Sequence, residues 1–283
     1  MLMAQARVCG GCSRLRKDSM SAAGLTEAVL YDTLVNYLVS MARTVEGAMN
    51  RALDAIVSVD ASRTKALPSE VFLLEPRINE MEIVIDEHAV RLLRRGAFSD
   101  DEMRLIVAAL KITNDLERIG DLAVNLAQCA VTLRDMPSAE TPEDLAPMAA
   151  TVRAMVSKSL GALIFRNVEM ANQVLVSDDV VDQYRDRIFE KLLEHMTRQT
   201  IPVCPGMQFV LATRHLERIA DHATNIAEDI IFWVRGLDVR HGRGRAVQPE
   251  TRPKAEEESP ASVTDNSQEV HYPVSPECDA QSV

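Results

Sequence analysis

Residues 113–127 read TNDLERIGDLAVNLA, and residues 213–227 read TRHLERIADHATNIA. The two stretches are identical at nine of 15 positions at an offset of 100 residues, which is more than shared helix composition would give. The match extends upstream at an offset of 103, where Ile78 aligns with Val181 and Asn79 with Asp182. The chain is therefore predicted to be an internal duplication whose period of about a hundred residues is too long for a short solenoid repeat.

Apolar residues recur at helical spacing between residues 24 and 238. Breaks in this pattern divide it into six helices, and they fall at residues 60–64, 96–99, 136–143, 165–167 and 201–206. Aromatic residues make up only 4% of the chain, which favours helix packing over a β-sandwich. Because short connections make consecutive helices antiparallel neighbours, we predict an all-α fold of two tandem three-helix bundles.

The predicted organisation has four segments. The first three-helix repeat spans residues 21–137, and the second spans residues 138–239. An N-terminal extension, residues 1–20, precedes them, and Met20 is an alternative start. Residues 240–283 are rich in Pro, Ser, Glu and Arg and lack apolar periodicity, so we expect a disordered C-terminal tail.

Several residues mark the predicted helix ends. Ser99, followed by three acidic residues, is a candidate N-cap, and Asn167 is another. The stretch Thr141–Asp144 offers a further cap with a proline at the first helical position. Gly236 suits the left-handed conformation that closes the sixth helix. Pro76 falls inside the second helical pattern and is expected to kink that helix or delay its start.

The charge of the chain limits its partners. The formal net charge is −11, and residues 21–239 carry all of it because the two ends cancel. Such an acidic fold is a poor ligand for nucleic acid or an anionic membrane surface, whereas metal cations or basic protein surfaces are favoured partners.

The compartment is predicted from the apolar runs and the cysteines. No apolar run approaches the roughly 18 residues that a membrane span needs, and the N-terminus lacks the apolar stretch of a secretory signal. Cys129 and Cys204 lie in helical context and are expected to be free thiols, so we predict a cytoplasmic protein. Cys9 and Cys12 have the spacing of half a zinc or redox site, but no second pair completes it, and we interpret them as a stray pair.

Acidic side chains form a ladder in each repeat. Glu117, Asp121 and Asn125 stand four residues apart in the third helix, and residues 217, 221 and 225 repeat the same three types in the sixth. This spacing lines oxygen atoms along one helix face, where paired carboxylates repel each other unless a cation or an arginine lies between them. Arg118 and Arg218 are expected to point about 100° away from that face.

Neighbouring helices add further oxygen donors. The fifth helix has Asp178, Asp182 and Asp186 at the same spacing, and the second helix has Glu75 and Asn79. Carboxylate and amide oxygens suit hard cations such as Mg, Mn, Ca or oxidised iron. The alternative is that the ladders are solvated acidic faces bonded to Arg and Lys, and the repetition of the ladder favours the metal hypothesis.

Signatures of catalysis are missing from the sequence. None of the six histidines completes the Glu-x-x-His motif of di-iron bundles, and no nucleotide-binding loop or nucleophile elbow is present. His222, beside Asp221, is a possible ligand, but a hydrogen-bonded histidine on a helix face is the favoured interpretation. We therefore predict that the protein is not an enzyme.

The repeated LERI(G/A)D with its downstream Asn, together with RLIVAALKITNDLERIGD and the DDVVD stretch, resembles the PhoU family of phosphate-transport regulatory proteins over residues 40–236. The resemblance implies two tandem three-helix bundles, a homodimer, and metal ions or multinuclear clusters, with iron or zinc ahead of Mg or Mn. Carried over by position, the metal ligands would be Glu117 and Asp121 in the first repeat, Glu217 and Asp221 in the second, and Asp178, Asp182, Glu75 and Asn79 as co-ligands from neighbouring helices.

The resemblance also implies a negative regulator of phosphate uptake and of the phosphate-starvation response. Such a protein would be an adaptor between the ATPase subunit of a phosphate ABC transporter and a sensor histidine kinase, and it would meet the membrane only through these partners. The first repeat departs from the second, since Asn79 stands where the second has Asp182, Pro76 adjoins Glu75, and Pro68 stands where the second has an alanine. We therefore expect the stronger site in the second repeat.

Two other hypotheses remain open. The chain could be a carboxylate-bridged metal enzyme or metal store, which predicts turnover that depends on Glu217. It could also be a structural helical scaffold whose ladders are surface charge, which predicts a metal-free protein.

Overall fold

The helices form where the apolar spacing predicts them. A computed structural model of the 283-residue chain describes residues 22–58, 64–96, 98–136, 140–240 and 245–246. Six α-helices lie within this part: α1 (Ala22–Val57), α2 (Leu67–Leu93), α3 (Asp100–Arg134), α4 (Leu145–Phe165), α5 (Val168–Thr197) and α6 (Val203–Arg235). Two short strands follow α6, β1 (Leu237–Asp238) and β2 (Arg245–Ala246), and they pair in antiparallel orientation. The predicted all-α fold is confirmed.

Three of the predicted helix ends have the expected geometry. Ser99 Oγ accepts from the backbone N–H of Glu102, and the Glu102 carboxylate accepts in return from the Ser99 backbone N–H, which forms a capping box. Asn167 Oδ1 accepts from two backbone N–H groups in the first turn of α5. Gly236 ends α6 with a φ of 65°, a conformation that costs glycine little.

One predicted helix start is wrong. The helix α4 begins at Leu145, later than the predicted cap at residues 141–144, because Leu145 N–H donates to Pro142 C=O in a preceding turn. Asp144 makes no side-chain cap and instead accepts from Lys191 of α5 at 2.9 Å. Pro76 does not delay α2, which begins nine residues earlier and runs on through it. The other expected effect, a kink at Pro76, stays a prediction.

The six helices share one hydrophobic core. Each set of three helices packs among itself, and α3 also packs along α6 in the most extensive contact of the fold, while α1 touches α4. One continuous cluster of buried apolar side chains runs through all six helices, which lie in a single compact unit. The predicted repeats at 21–137 and 138–239 contain α1–α3 and α4–α6 respectively, and their bounds stay a prediction.

Polar contacts cross the α3–α6 contact. Asp115, only 7% exposed, has its Oδ1 2.8 Å from His222 Nδ1 and 3.3 Å from Asn225 Nδ2. Lys111 Nζ donates to Asp229 Oδ1 at 2.9 Å, where Asp229 is 6% exposed. The residue number increases from Lys111 to Asp115 along α3, while that of the partner decreases from Asp229 to His222 along α6. The two helices are therefore antiparallel. Because a buried polar group costs free energy when it loses its partner, these pairs fix the register of α3 against α6.

One helix is more apolar than the sequence analysis expected. By length and composition α4 could cross a membrane, and it is the only such helix in the part of the chain that the structure describes. Half of its most apolar window is buried, and Arg153 on this helix pairs with Asp54 of α1. The core helix of a soluble bundle can be equally long and apolar. The ion pair between Arg153 and Asp54 fits the interpretation of α4 as such a core helix.

Some expectations fall outside the described residues. These are the predicted N-terminal extension, the Cys9 and Cys12 pair, the alternative start at Met20 and most of the predicted C-terminal tail. The two residues of β2 belong to that tail segment and pair with β1. Cys129 and Cys204 are free thiols, as predicted, the first buried and the second exposed.

We expect Asp115→Ala to lower the free energy of unfolding by about 1–3 kcal/mol, because it removes a buried acceptor and leaves the partly buried His222 ring without its partner across the helix contact. Thermal melting of the purified chain measures this loss. Asp32→Ala, which removes an exposed aspartate of α1, is the matched control. Equal melting temperatures of the two variants would contradict a role of Asp115 in fixing the register.

Candidate functional site

The two acidic ladders lie on the two helices that form the centre of the molecule. Glu117 on α3 and Glu217 on α6 are mostly covered, with side chains 16% and 10% exposed. Asp121 is 36% exposed, and Asp221 lies at the surface one turn beyond Glu217. Both asparagines of the ladders are exposed, and that of the sixth helix bonds to Asp115. Each ladder therefore presents a covered glutamate and a more accessible aspartate.

In the second repeat, carboxylates of α5 and α6 face each other. Burial raises the pKa of Asp178, and the charges of Asp221, Asp182 and Glu217 raise it further. Burial also raises the pKa of Asp221, with Glu217 and Asp182 adding to the shift. The structure therefore brings the four predicted second-repeat ligands close enough to repel one another. We refer to these four residues as the second-repeat cluster.

Arg185 lies inside this cluster. Its Nη1 donates to Glu217 Oε1 and to Asp182 Oδ1, both at 2.7 Å, and its Nη2 donates to Asp186 at 2.9 Å. Asp186, the third member of the α5 ladder, is 65% exposed and is held by this arginine. Arg185 is not among the residues predicted from the sequence, although an arginine three residues after Asp182 on the same helix is a recognisable partner.

Glu217 keeps one carboxylate oxygen that is not fully satisfied. Its Oε2 is buried and has no hydrogen-bond partner in the described part of the chain. Arg214 Nη1 lies 2.9 Å from this atom as an ion-pair contact and donates to Oε1 at 3.1 Å. The ion pair with Arg214 offsets the cost of burying this oxygen, so a metal ion at Oε2 would have to displace Arg214.

The first repeat has a related cluster with different α2 members. Burial raises the pKa of Glu117, and the charges of Asp121 and Glu82 add to the shift. Burial likewise raises the pKa of Glu82, followed by the charge of Asp86. Glu82 and Asp86 are not among the residues predicted from the sequence, although their spacing of four residues repeats the ladder pattern on α2.

The predicted α2 co-ligands have separate surroundings. Asn79 Oδ1 is buried without a hydrogen-bond partner among the described residues. A hydrogen-bond donor or a cation would satisfy this oxygen. Glu75 is half-buried, and the α2 charge that raises the pKa of Glu117 comes from Glu82. Both residues stay predicted ligands.

Arg118 does not point away as expected. Its Nε lies 3.5 Å from Glu117 Oε2, and its Nη1 lies 3.8 Å from Asp121 Oδ2. The flexible side chain reaches round the helix to the ladder because the repelling carboxylates attract it. The ring of His222, in contrast, forms a hydrogen bond with Asp115 of the other repeat. This agrees with the interpretation of His222 as a hydrogen-bonded histidine on a helix face.

The arrangement of donors shows what a metal would require. Among the residues that the structure describes, no three His, Cys, Asp or Glu side chains are arranged to hold a metal ion. The chemistry of the second-repeat cluster nevertheless fits a hard cation, since its oxygens repel one another and Glu217 Oε2 lacks a hydrogen bond. Arg185 would have to release Asp182 and Glu217 for these two residues to become ligands.

The chain is similar to known proteins over most of its length. A family model described as the PhoU domain matches residues 38–130 and again residues 145–230. A relative from Pseudomonas aeruginosa is 34% identical over 209 residues, which are 73% of this chain and 84% of the relative. A relative from a Burkholderia species is 30% identical over 207 residues, 72% of this chain and 86% of the relative. Both relatives are named phosphate-specific transport system accessory protein PhoU homolog.

Solved structures show the same architecture. The crystal structure of PhoU from Pseudomonas aeruginosa has a TM-score of 0.69 and 32% identity, and the match covers 74% of this chain and 99% of that one. The phosphate transport system regulatory protein PhoU from Streptococcus pneumoniae has a TM-score of 0.67, with 75% of this chain and 99% of that chain covered. At 24% identity, the second match supports the fold alone.

We expect Asp221→Asn to stabilise the metal-free chain by about 0.2–0.5 kcal/mol near neutral pH, because it removes the repulsion between like charges one helical turn apart. The sign follows from the raised pKa of Asp221: the folded state disfavours the charged form, so stability is lost as pH rises above the ordinary pKa of 3.8. Thermal melting in a chelator, from about pH 4 to about pH 7, measures both effects.

Glu190→Gln, at an exposed position on α5, is the control for this substitution. A melting temperature of Asp221→Asn below that of the wild type in chelator would show that the arginines already compensate the cluster.

Proposed function

The chain belongs to the PhoU family, and we propose that it is an accessory protein that regulates a phosphate transport system. The observation that carries this proposal is the double match of the PhoU domain, because each match contains one of the two acidic ladders. The names of the relatives, which are accessory proteins of phosphate-specific transport, support the same role.

The proposed role is regulatory rather than catalytic. The relatives carry the names of accessory proteins, and none of these names denotes an enzyme. Two carboxylates of the second-repeat cluster, those of Asp182 and Glu217, have arginine partners, as charges that balance one another in a binding site do. No specific observation favours the alternative of a metal enzyme or a metal store.

In the finer form of the proposal, the protein is an adaptor in the cytoplasm. It would bind the ATPase subunit of a phosphate ABC transporter and a sensor histidine kinase, and it would restrain phosphate uptake and the starvation response when phosphate is abundant. The net charge of −11 supports docking to basic protein surfaces and disfavours nucleic acid. A homodimer is part of the same proposal.

Metal binding at the ladders is also part of the proposal. The second-repeat cluster, Asp178, Asp182, Glu217 and Asp221, would hold one metal ion or cluster, iron or zinc in the first place. Glu117 and Asp121 would hold the other, with Glu75 and Asn79 as the predicted co-ligands. A bound cation would supply the positive charge that offsets the mutual repulsion of these carboxylates.

We expect stoichiometric metal in the purified wild-type chain and a clear loss of it in the double variant Glu217→Ala, Asp221→Ala, measured by elemental analysis. Arg185→Gln is expected to keep or raise the metal content, because Arg185 and the metal compete for Glu217 and Asp182. Glu190→Ala combined with Glu194→Ala removes two exposed carboxylates of α5 and is the control.

If the wild type, the two variants and the control all contain the same amount of bound metal, the ladders are excluded as its ligands. No metal in any of them would leave arginine as the only counter-ion of the second-repeat cluster.

We expect the tagged full-length chain to co-purify with the transporter ATPase subunit from cells grown in high phosphate. Deletion of the gene is expected to switch on phosphate-starvation genes in that medium, and the wild-type gene is expected to restore repression. The double variant Glu217→Ala, Asp221→Ala tests in the same assay whether regulation needs the ladder. Absence of both co-purification and derepression would reject the regulatory role.

A further inference from the structure

A second polar site lies between α1 and α2, away from both acidic ladders. It is a pocket of about 520 Å³, and its lining includes three arginines and no carboxylate. The polar side chains of its wall are Asn36, Ser40, Arg43, Thr44, Arg51 and Arg77. In a chain with a net charge of −11, such a basic wall is unusual and calls for a physical explanation. We refer to these six residues as the basic pocket.

One face of α1 builds most of this pocket. Its members recur at helical spacing from residue 36 to residue 51, and α2 contributes Arg77 from the opposite side. Gly47 leaves room in the wall, since a Cβ there would lie 3.1 Å from Arg51 Nη1. Arg51 uses that room to donate to Gly47 C=O at 2.7 Å and donates to Glu70 Oε2 at 2.7 Å. The guanidinium of Arg51 is therefore held in place.

The other two arginines are not held in this way. In the described part of the chain, neither Arg43 nor Arg77 has a hydrogen bond or an ion pair, and both are exposed. Elsewhere in the molecule, arginines such as Arg153 and Arg185 bind carboxylates across helices. Like charges that line one pocket repel each other unless an anion lies between them. The basic pocket thus has donors that remain free for an anionic ligand.

The second repeat shows that the bundle does not need these residues. Every buried position from Met41 to Ile56 in α1 corresponds, at an offset of 107, to a buried position from Met148 to Leu163 in α4. The two helices therefore fill equivalent places in their bundles.

Two of the three arginines of the pocket have changed between the repeats, whereas Arg51 corresponds to Lys158 and Thr44 to Thr151 at the offset of 107. At the same offset Arg43 corresponds to Ala150 and Gly47 to Ala154, and at the α2 to α5 offset of 103 Arg77 corresponds to Val180. Arg43 and Arg77 are both exposed, and the second repeat has alanine and valine at their places, so packing of the core does not explain the two arginines.

We propose that the basic pocket binds a small phosphate-bearing anion, either free phosphate or the phosphate group of a small molecule. The planar guanidinium groups of Arg43, Arg51 and Arg77 match the geometry of phosphate oxygens. Hydroxyl and amide groups of the wall supply further hydrogen bonds, and the pocket is open to solvent, so a small hydrated anion can reach the arginines. The inference rests on this pocket alone and does not depend on the proposed adaptor role.

Isothermal titration calorimetry of the full-length chain, without any partner protein, tests the proposal. The titrants are inorganic phosphate, pyrophosphate, ATP and sulfate, each at low ionic strength and in the presence of a chelator. The anion that binds most tightly identifies the source of the phosphate group. We expect binding to weaken about tenfold or more in the double variant Arg43→Ala, Arg77→Ala, because each removes a charge-assisted hydrogen bond.

The double variant Arg91→Ala, Arg95→Ala removes the same charge from exposed positions at the end of α2 and is the matched control. It is expected to bind the anion as the wild type does. Gly47→Ala introduces the residue that the second repeat already has at the equivalent position and is expected to weaken binding by crowding Arg51. Thermal melting verifies that each variant is folded.

Absence of binding by all four titrants would overturn the proposal, as would equal losses in the two double variants, which would indicate a general charge effect. A chain that co-purifies with the transporter ATPase but binds no anion rejects this inference alone. A chain that binds phosphate through Arg43 and Arg77 but has no effect on phosphate regulation rejects only the adaptor role.

Discussion

The antiparallel packing of α3 against α6 is the constraint on which the rest of the structure depends. These two helices carry the duplicated stretches, and their contact joins two three-helix sets into one core. The contact of Asp115 with His222 and the ion pair between Lys111 and Asp229 cross it. The carboxylates of the acidic ladders lie beside α2 and α5, whereas Asn225 of the second ladder reaches Asp115 of α3. Each repeat therefore builds its own acidic cluster rather than sharing one.

Within each cluster, burial and repulsion act in the same direction. Both raise the pKa values of Glu117, Asp178 and Asp221, so the carboxylates hold more electrostatic free energy than an exposed acidic face would. Arginine offsets this repulsion in the second repeat, where Arg185 bridges α5 and α6. A metal ion would compete with that bridge. Binding of a metal and release of an arginine would then be coupled, which is a physical route from metal binding to a change of the bundle surface.

The two repeats have diverged where packing does not constrain them. Their buried positions correspond along α1 and α4, whereas Arg43 and Arg77 correspond to alanine and valine. The acidic ladder is kept in both halves, but the basic pocket belongs only to the first. Duplication supplied two equivalent scaffolds, and one of them has acquired a surface of opposite charge. The proposed anion site and the proposed metal sites are compatible within one bundle because different side chains form them.

The sequence by itself determined the six helices, the duplication and the ladder residues, because apolar spacing and a period of four residues are local properties of a helix. Ser99 and Gly236 were predictable as helix ends for the same reason. The tertiary structure decided which charges meet. Arg185 reaches Glu217 across 32 positions of chain, Glu82 rather than Glu75 acts on Glu117, and Arg43 shares a pocket with Arg77. These pairings depend on how the helices are rotated and staggered against one another, and no local pattern in the chain records that.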